Sequence, residues 1–167
     1  MMTSRIKVQA LSERHHAMMA GFDCGSRLIN RYLSEAAELQ KLNLSTTFIA
    51  VDAASKSTML GFYSWHNMSI SSDSLPASLG RYLRRGTEIG AIYLANIAVA
   101  NEYQDKGIGT DLLRSALYRA KSRSTEIAAW AIVLDPINEN AERFYLRLGF
   151  DVLENETGRL FLPISAI

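Results

Sequence analysis

Two short stretches of the sequence hold residue types able to do chemistry. The first is Gln104-Asp105-Lys106-Gly107-Ile108-Gly109-Thr110, which follows the apolar run Leu94-Ala95-Asn96-Ile97-Ala98-Val99. Gly107 and Gly109 let an anion approach the backbone closely. A helix beginning near Gly107 has unpartnered first amides and partial positive charge at that end. A pyrophosphate fits such an end without a metal. An ordinary strand–turn–helix with two convenient glycines produces the same short pattern. The Gly-x-x-x-x-Gly-Lys-Ser/Thr of a P-loop and the three glycines of a dinucleotide fingerprint are both absent.

The second stretch runs from Asn138 to Phe150. Asn138, Ala141 and Tyr145 fall on neighbouring turns of one helix and share a face. A tyrosine hydroxyl there is a candidate proton donor to a leaving thiolate. Phenol and thiol have ordinary pKa values of about 10 and 8.5, so the transfer is not strongly uphill. A core aromatic with a satisfied hydroxyl fits the same position. Glu88 and His66 are the nearest base candidates by strand placement, and both also suit a plain surface role. The single cysteine, Cys24, allows no intramolecular disulfide and reads as a small half-buried residue of a reducing compartment.

These stretches need a scaffold, and the pattern supplies one. Ile6, Val8 and Ala10 alternate with polar residues and predict a first strand. Ser26–Asn43 carries an apolar stripe through Leu28, Ile29, Tyr32, Leu33, Ala36, Leu39 and Leu42, hence a helix capped by Asp23 or Ser26. Thr46–Asp52 and Met59–Ile70 are strands of a hairpin. Ser71–Ser78 is a loop and Leu79–Arg85 a short helix. Glu88–Val99 is a strand, Gly107–Ser122 a helix, Ala128–Leu134 a buried strand and Asn138–Leu148 a helix closed by Gly149. Phe150–Leu153 and Arg159–Pro163 end the chain as strands. The order predicts an α/β protein with a mixed, largely antiparallel sheet flanked by helices. The 167 residues suit a single domain, 1–167.

In order and spacing, the two chemical stretches resemble the GNAT acetyltransferases. The shared pattern is a strand, Gln/Arg-x-x-Gly-x-Gly/Ala, a helix, a strand, an Asn-x-x-Ala-x-x-x-Tyr helix and a Gly-Phe ending. The resemblance implies a twisted GNAT-like sheet and acetyl-CoA as acetyl donor, with no metal. It implies that Ile97, Ala98 and Val99 pair with the pantetheine arm and that Gln104, Asp105, Lys106, Gly107, Ile108, Gly109 and Thr110 cradle the pyrophosphate. By the same resemblance, Asn138 contacts the cofactor and Tyr145 is the general acid for direct attack of an amine on the thioester.

The N-terminal half resembles a narrower group. Phe22-Asp23-Cys24-Gly25-Ser26, Leu28, Asn30, Tyr32-Leu33, Thr46–Val51 and Gly61-Phe62-Tyr63 look like the GNAT toxins of bacterial toxin–antitoxin pairs. Those toxins acetylate the α-amine of aminoacyl-tRNA and block translation, and their usual partner is a ribbon-helix-helix antitoxin. Where that group often carries Gly-Arg before the end of the central strand, this chain has Ala95-Asn96, without the cation. Two other readings stay open: an acetyltransferase of a small amine or a protein N-terminus, and a non-catalytic acetyl-CoA-binding module.

Charge bears on the acceptor. The formal net charge of +1 excludes a surface that is basic all over. It leaves local patches: Arg81, Arg84 and Arg85; Arg27, Arg31 and Lys41; Arg114, Arg119, Lys121 and Arg123. The first, with Asn96, is the candidate substrate-binding set. Met1–Leu11 carries Arg5 and Lys7 and lacks the apolar core of a secretory leader. The longest strongly apolar run, Ile127–Leu134, is far short of the ~20 residues that span a bilayer. A cytoplasmic protein is expected, and the C-terminal strands permit pairing into a homodimer.

Overall fold

The computed structural model describes residues 6–167; Met1–Arg5, including the Arg5 of the leader argument, lie outside the described residues. The elements are β1 (Ile6–Ala10), α1 (His16–Met19), α2 (Arg27–Lys41), β2 (Thr46–Asp52), β3 (Met59–Ser71), α3 (Ala77–Gly80), β4 (Glu88–Val99), α4 (Ile108–Ile127), β5 (Ala131–Leu134), α5 (Glu139–Arg147), β6 (Asp151–Val152) and β7 (Leu160–Pro163). The strands form a seven-stranded sheet in the order β1-β2-β3-β4-β5-β7-β6. The β4–β5 pair is parallel, while β1–β2, β2–β3, β5–β7 and β6–β7 are antiparallel. This is the mixed α/β architecture that the element order predicts.

The chain gathers into two compact units, one running up to His66 and taking in Ala95–Ala116, the other made of Asn67–Leu94 and Leu117–Ile167. In the first, α2 lays Leu33 and Ala36 on Ile49, Val51, Met59, Phe62 and Ala98. Ser26 starts that helix, its side chain accepting the Ile29 N–H at 3.4 Å. Asp23 is not the cap: its carboxylate accepts Gly25 N–H and Asn30 Nδ2–H, both at 2.8 Å. In the second unit Ile70, Leu75, Ala91, Ala131, Val133, Leu153 and Phe161 form the core, with Trp130 stacked on Phe161.

Several boundaries differ from the sequence expectation, among them the strand expected at Phe150–Leu153, which is only Asp151–Val152. The helix α4 continues to Ile127, and β5 begins only at Ala131. The apolar run Ile127–Trp130 is a helix end, stopped by Ala128 at φ 51° and by the Ala129 N–H donating back to Ser124 O. The expected helix Leu79–Arg85 is the single turn Ala77–Gly80 instead. The Arg84 carbonyl accepts the Ser72 and Thr87 hydroxyls at 2.9 and 2.7 Å, and Gly86 turns at φ 70°. Those bonds draw the backbone into a closed loop and leave no continuing helical ladder.

Candidate functional site

The loop after β4 belongs to the first unit and is shaped by its backbone. Asp105 and Gly107 sit at φ 58° and 83°, so the chain reverses twice before α4 starts at Ile108. A Cβ placed at Gly107 would meet no protein atom within 4 Å, so the strained conformation and not crowding calls for glycine there. The first full helical bond in this turn is Asp111 N–H to Gly107 O at 3.1 Å. The amides ahead of Asp111 therefore lie at a free helix N-terminus, as expected.

Side chains of the loop hold it in shape. Gln104 Nε2 donates to Cys24 O at 3.1 Å, Val99 O at 3.1 Å and Asn101 Oδ1 at 3.2 Å. Lys106 folds back, donating to Glu102 O at 2.9 Å with its ammonium 5.3 Å from the Tyr103 ring centre. Gln104 and Lys106 thus hold the turn, and the backbone amides of Gly107–Thr110 are the groups suited to an anion. The Phe22–Gly25 segment has a physical role here. Asp23 O accepts Asn101 N–H at 2.9 Å, and a side chain at Gly25 would press on Asn101 Oδ1 at 3.1 Å. This segment braces the loop from the far side of the chain.

Strand β4 brings the loop its approach. Its parallel register with β5 ends at Tyr93↔Val133, while β4 itself continues to Val99. The edge of Ile97, Ala98 and Val99 on that side has no β5 partner, which fits an extended ligand with amides of its own. Ala98 is buried in the core while Ile97 and Val99 are half-buried, so the strand is anchored by one face. Gly61 of β3 makes this possible. A Cβ at Gly61 would collide with Ala98 O and lie 2.9 Å from Leu112 Cδ1, so only glycine lets the end of β4 pack this closely. Asn96, also in this segment, donates through Nδ2 to the buried Ser64 Oγ at 2.8 Å.

The second unit holds Asn138 and Tyr145. Asn138 is the N-cap of α5, its Oδ1 accepting Ala141 N–H at 2.9 Å. Tyr145 is 7% exposed, its ring held edge-on by Phe144 at 5.3 Å and Phe150 at 5.5 Å. Among the described residues no buried side-chain oxygen or nitrogen lacks a partner, and the Tyr145 hydroxyl has no protein hydrogen bond. Its ring is sealed and its oxygen reaches solvent. Burial pushes the phenol up to about 12. The phenol therefore stays protonated throughout the physiological range. Against a thiol near about 8.5, full proton transfer is uphill by roughly three units, more than the unperturbed values suggest.

A cluster that local spacing did not signal lies in the same unit. Asp135, just past β5, accepts Tyr93 Oη–H at 2.7 Å, Arg159 Nε–H at 2.9 Å and Arg159 Nη2–H at 3.0 Å. Arg159 also donates to Glu156 at 2.7 Å. The Arg159 hydrogen bonds hold the Asp135 carboxyl below its usual range, and burial, then Asp135, push Tyr93 up to about 12. Asp135 and Arg159 stand 24 residues apart, so no helical or strand period links them.

Of the basic residues, Arg31, Lys41, Arg114 and Arg123 each face a carboxylate on their own helix. Arg81, Arg84 and Arg85 are exposed on the loop closed by Ser72 and Thr87. Arg81 stacks on Tyr82 at 4.7 Å, and Arg85 lies 3.7 Å from Asp73. Glu88 is exposed at the start of β4, and His66 is half-buried on β3. Among the described residues no three His, Cys, Asp or Glu side chains converge as metal ligands, and no helix is long and apolar enough to cross a membrane.

Comparison with known proteins agrees with this geometry. Residues 70–150 match the profile of the acetyltransferase (GNAT) family. The chain is 28% identical over 156 residues to a probable toxin TacT of Sinorhizobium fredii, covering 89% of this chain and 86% of that one. It is 26% identical over 104 residues to a tRNA-acetylating toxin of Mycobacterium tuberculosis, covering 62% and 61% of the two chains. The structure of AtaT complexed with acetyl-methionyl-tRNAfMet superposes with a TM-score of 0.85 at 22% identity, covering 96% of both chains. Over residues 70–150 the chain is thus similar to the GNAT acetyltransferases, and as a whole it has the same fold as AtaT.

Proposed function

We propose that this chain is an acetyl-CoA-dependent N-acetyltransferase that acetylates the α-amine of aminoacyl-tRNA and so blocks translation. The observation that carries the enzymatic reading is Tyr145, a sealed ring whose hydroxyl is wet and unpartnered on the helix that Asn138 caps. A core tyrosine would bury its hydroxyl against a protein acceptor.

The residues present fit acetyl-CoA. The amides of Gly107–Thr110 suit a pyrophosphate, and the unpaired edge of Ile97–Val99 suits the amide-bearing pantetheine arm. Bound there, acetyl-CoA supplies an activated acetyl group. The amine nitrogen forms the new bond to the acetyl carbon as the carbon–sulfur bond breaks, and the nitrogen's surplus proton passes to water. Tyr145 donates its hydrogen bond or proton to the departing sulfur and is reprotonated by solvent. An α-amine has a pKa of about 7.7–8.0, so a useful neutral fraction exists near pH 7 and no strong base is required.

Arg81, Arg84 and Arg85 are the proposed phosphate contacts. Likeness to TacT and to a tRNA-acetylating toxin supports this acceptor; a cytoplasmic site of action and a ribbon-helix-helix antitoxin as partner belong to the same reading. The whole of 1–167 is one domain in this reading. One observation favours a small amine instead: Asn96, where the toxins often carry arginine, is turned onto Ser64. Induced expression separates the two. The tRNA reading expects growth arrest with N-acetylated aminoacyl-tRNA in the extract. Normal growth without that product would support the small amine.

A further inference from the structure

Asp135 lies three residues before Asn138, the cap that starts α5. Its three hydrogen bonds tie β4, through Tyr93, and the turn before β7, through Arg159, to the end of β5. Isolated exposed ion pairs contribute little. This one is a two-bond fork completed by a phenol, with the Arg159 guanidinium also 5.6 Å over the Tyr93 ring. The Tyr145 hydroxyl has no hydrogen bond of its own, so its position follows from where α5 begins and ends. The far end is held by Phe150, whose N–H donates to Tyr145 O at 3.2 Å and whose ring packs on Tyr145. The near end has Asn138 and, before it, Asp135.

We propose that Asp135, Arg159 and Tyr93 form a positioning cluster that fixes the start of α5 and so aims the Tyr145 hydroxyl. The inference rests on Tyr145 being the acid. None of the three is a catalytic residue; they act through Tyr145.

The test compares Asp135→Ala, Arg159→Lys and Tyr93→Phe, and combines Asp135→Ala with Tyr145→Phe, reading kcat, KM for acetyl-CoA and melting temperature. Asp135→Ala should lower kcat roughly 10- to 100-fold, since a small misplacement of a reacting group costs that much. KM for acetyl-CoA should stay within about twofold, because none of the three belongs to the proposed donor-binding set. Arg159→Lys should lose less rate than Asp135→Ala, since it keeps the charge and one bond of the fork. The double variant should be no slower than Tyr145→Phe alone, since both changes remove one contribution. Losses that multiply in the double variant, or unchanged kcat in folded Asp135→Ala, would overturn the proposal. If Asp135→Ala fails to fold, Tyr93→Phe replaces it in the same cycle, with the same outcomes deciding. Unchanged turnover in Tyr145→Phe alone would overturn the acid assignment and this inference together, and so stands apart from failure of the cluster.

Discussion

The loop after β4 and the helix α5 are built in opposite ways. The loop is made of backbone: left-handed Asp105 and Gly107, a helix N-terminus, and side chains such as Gln104 spent on holding the turn. In α5 the backbone is an ordinary capped helix and one side chain, Tyr145, is the proposed acid. A site of backbone amides binds by shape and tolerates many side chains. A single phenol is sensitive to position and to the dielectric around it. The comparison separates binding from turnover, and substitutions in the two regions should divide along that line.

The largest effect is expected at Tyr145. Tyr145→Phe keeps the packed ring and removes only the hydroxyl, so kcat should fall by ~100-fold or more while acetyl-CoA affinity is unchanged. Rapid-quench turnover together with calorimetry reads both quantities, and unchanged turnover would remove Tyr145 as the acid. In the loop, Gly107→Glu should reduce acetyl-CoA affinity below detection by calorimetry. A side chain at φ 83° is strained, and its carboxylate would face the pyrophosphate. Retained affinity would take the loop out of the site.

Smaller effects test the supports. Gly61→Ala should destabilise the fold by about 1–3 kcal/mol, seen in chemical denaturation, because the new Cβ presses on Ala98 O and Leu112. Acetyl-CoA affinity should weaken with it, since the end of β4 must shift. An alanine variant of wild-type stability would show that β3 and β4 have room to spare.

The smallest effect is alkaline. The folded pKa of Tyr145, about 12, lies above the unfolded value of about 10. The stabilisation from keeping this phenol neutral is full below pH ~10 and is lost as pH rises through ~12. Wild type should therefore lose about 1 kcal/mol relative to Tyr145→Phe by pH ~11. Parallel stability curves across that range would mean that the phenol ionises in the folded state as freely as in water.

Local patterns carried most of the fold. The Ser26 cap, the left-handed Gly107 ahead of α4 and the Asn138–Tyr145 helix are short-range features, and each is where the pattern placed it; the α2 stripe holds from Ile29 to Leu39, but Leu28 and Leu42 at its ends are exposed. Helix ends were less legible. Ile127-Ala128-Ala129-Trp130 is apolar enough for a strand, and only the left-handed Ala128 shows that it closes a helix. The Leu79–Arg85 segment has helical composition, but hydroxyls of Ser72 and Thr87 capture the Arg84 carbonyl. The Asp135–Arg159–Tyr93 cluster and the close approach at Gly61 depend on contacts between distant segments. Burial of Tyr145 likewise comes from Phe150 and the surrounding core, so its raised pKa could not be read from residue type.

The central claim is acetyl transfer from acetyl-CoA to the α-amine of aminoacyl-tRNA. The most direct measurement incubates the purified protein with labelled acetyl-CoA and charged tRNA, beside free amino acids and simple amines, and identifies the product released from tRNA by nuclease digestion and mass spectrometry. The account predicts N-acetyl-aminoacyl-adenosine from charged tRNA, its formation abolished by Tyr145→Phe. Label on the free amines with none on charged tRNA would contradict it.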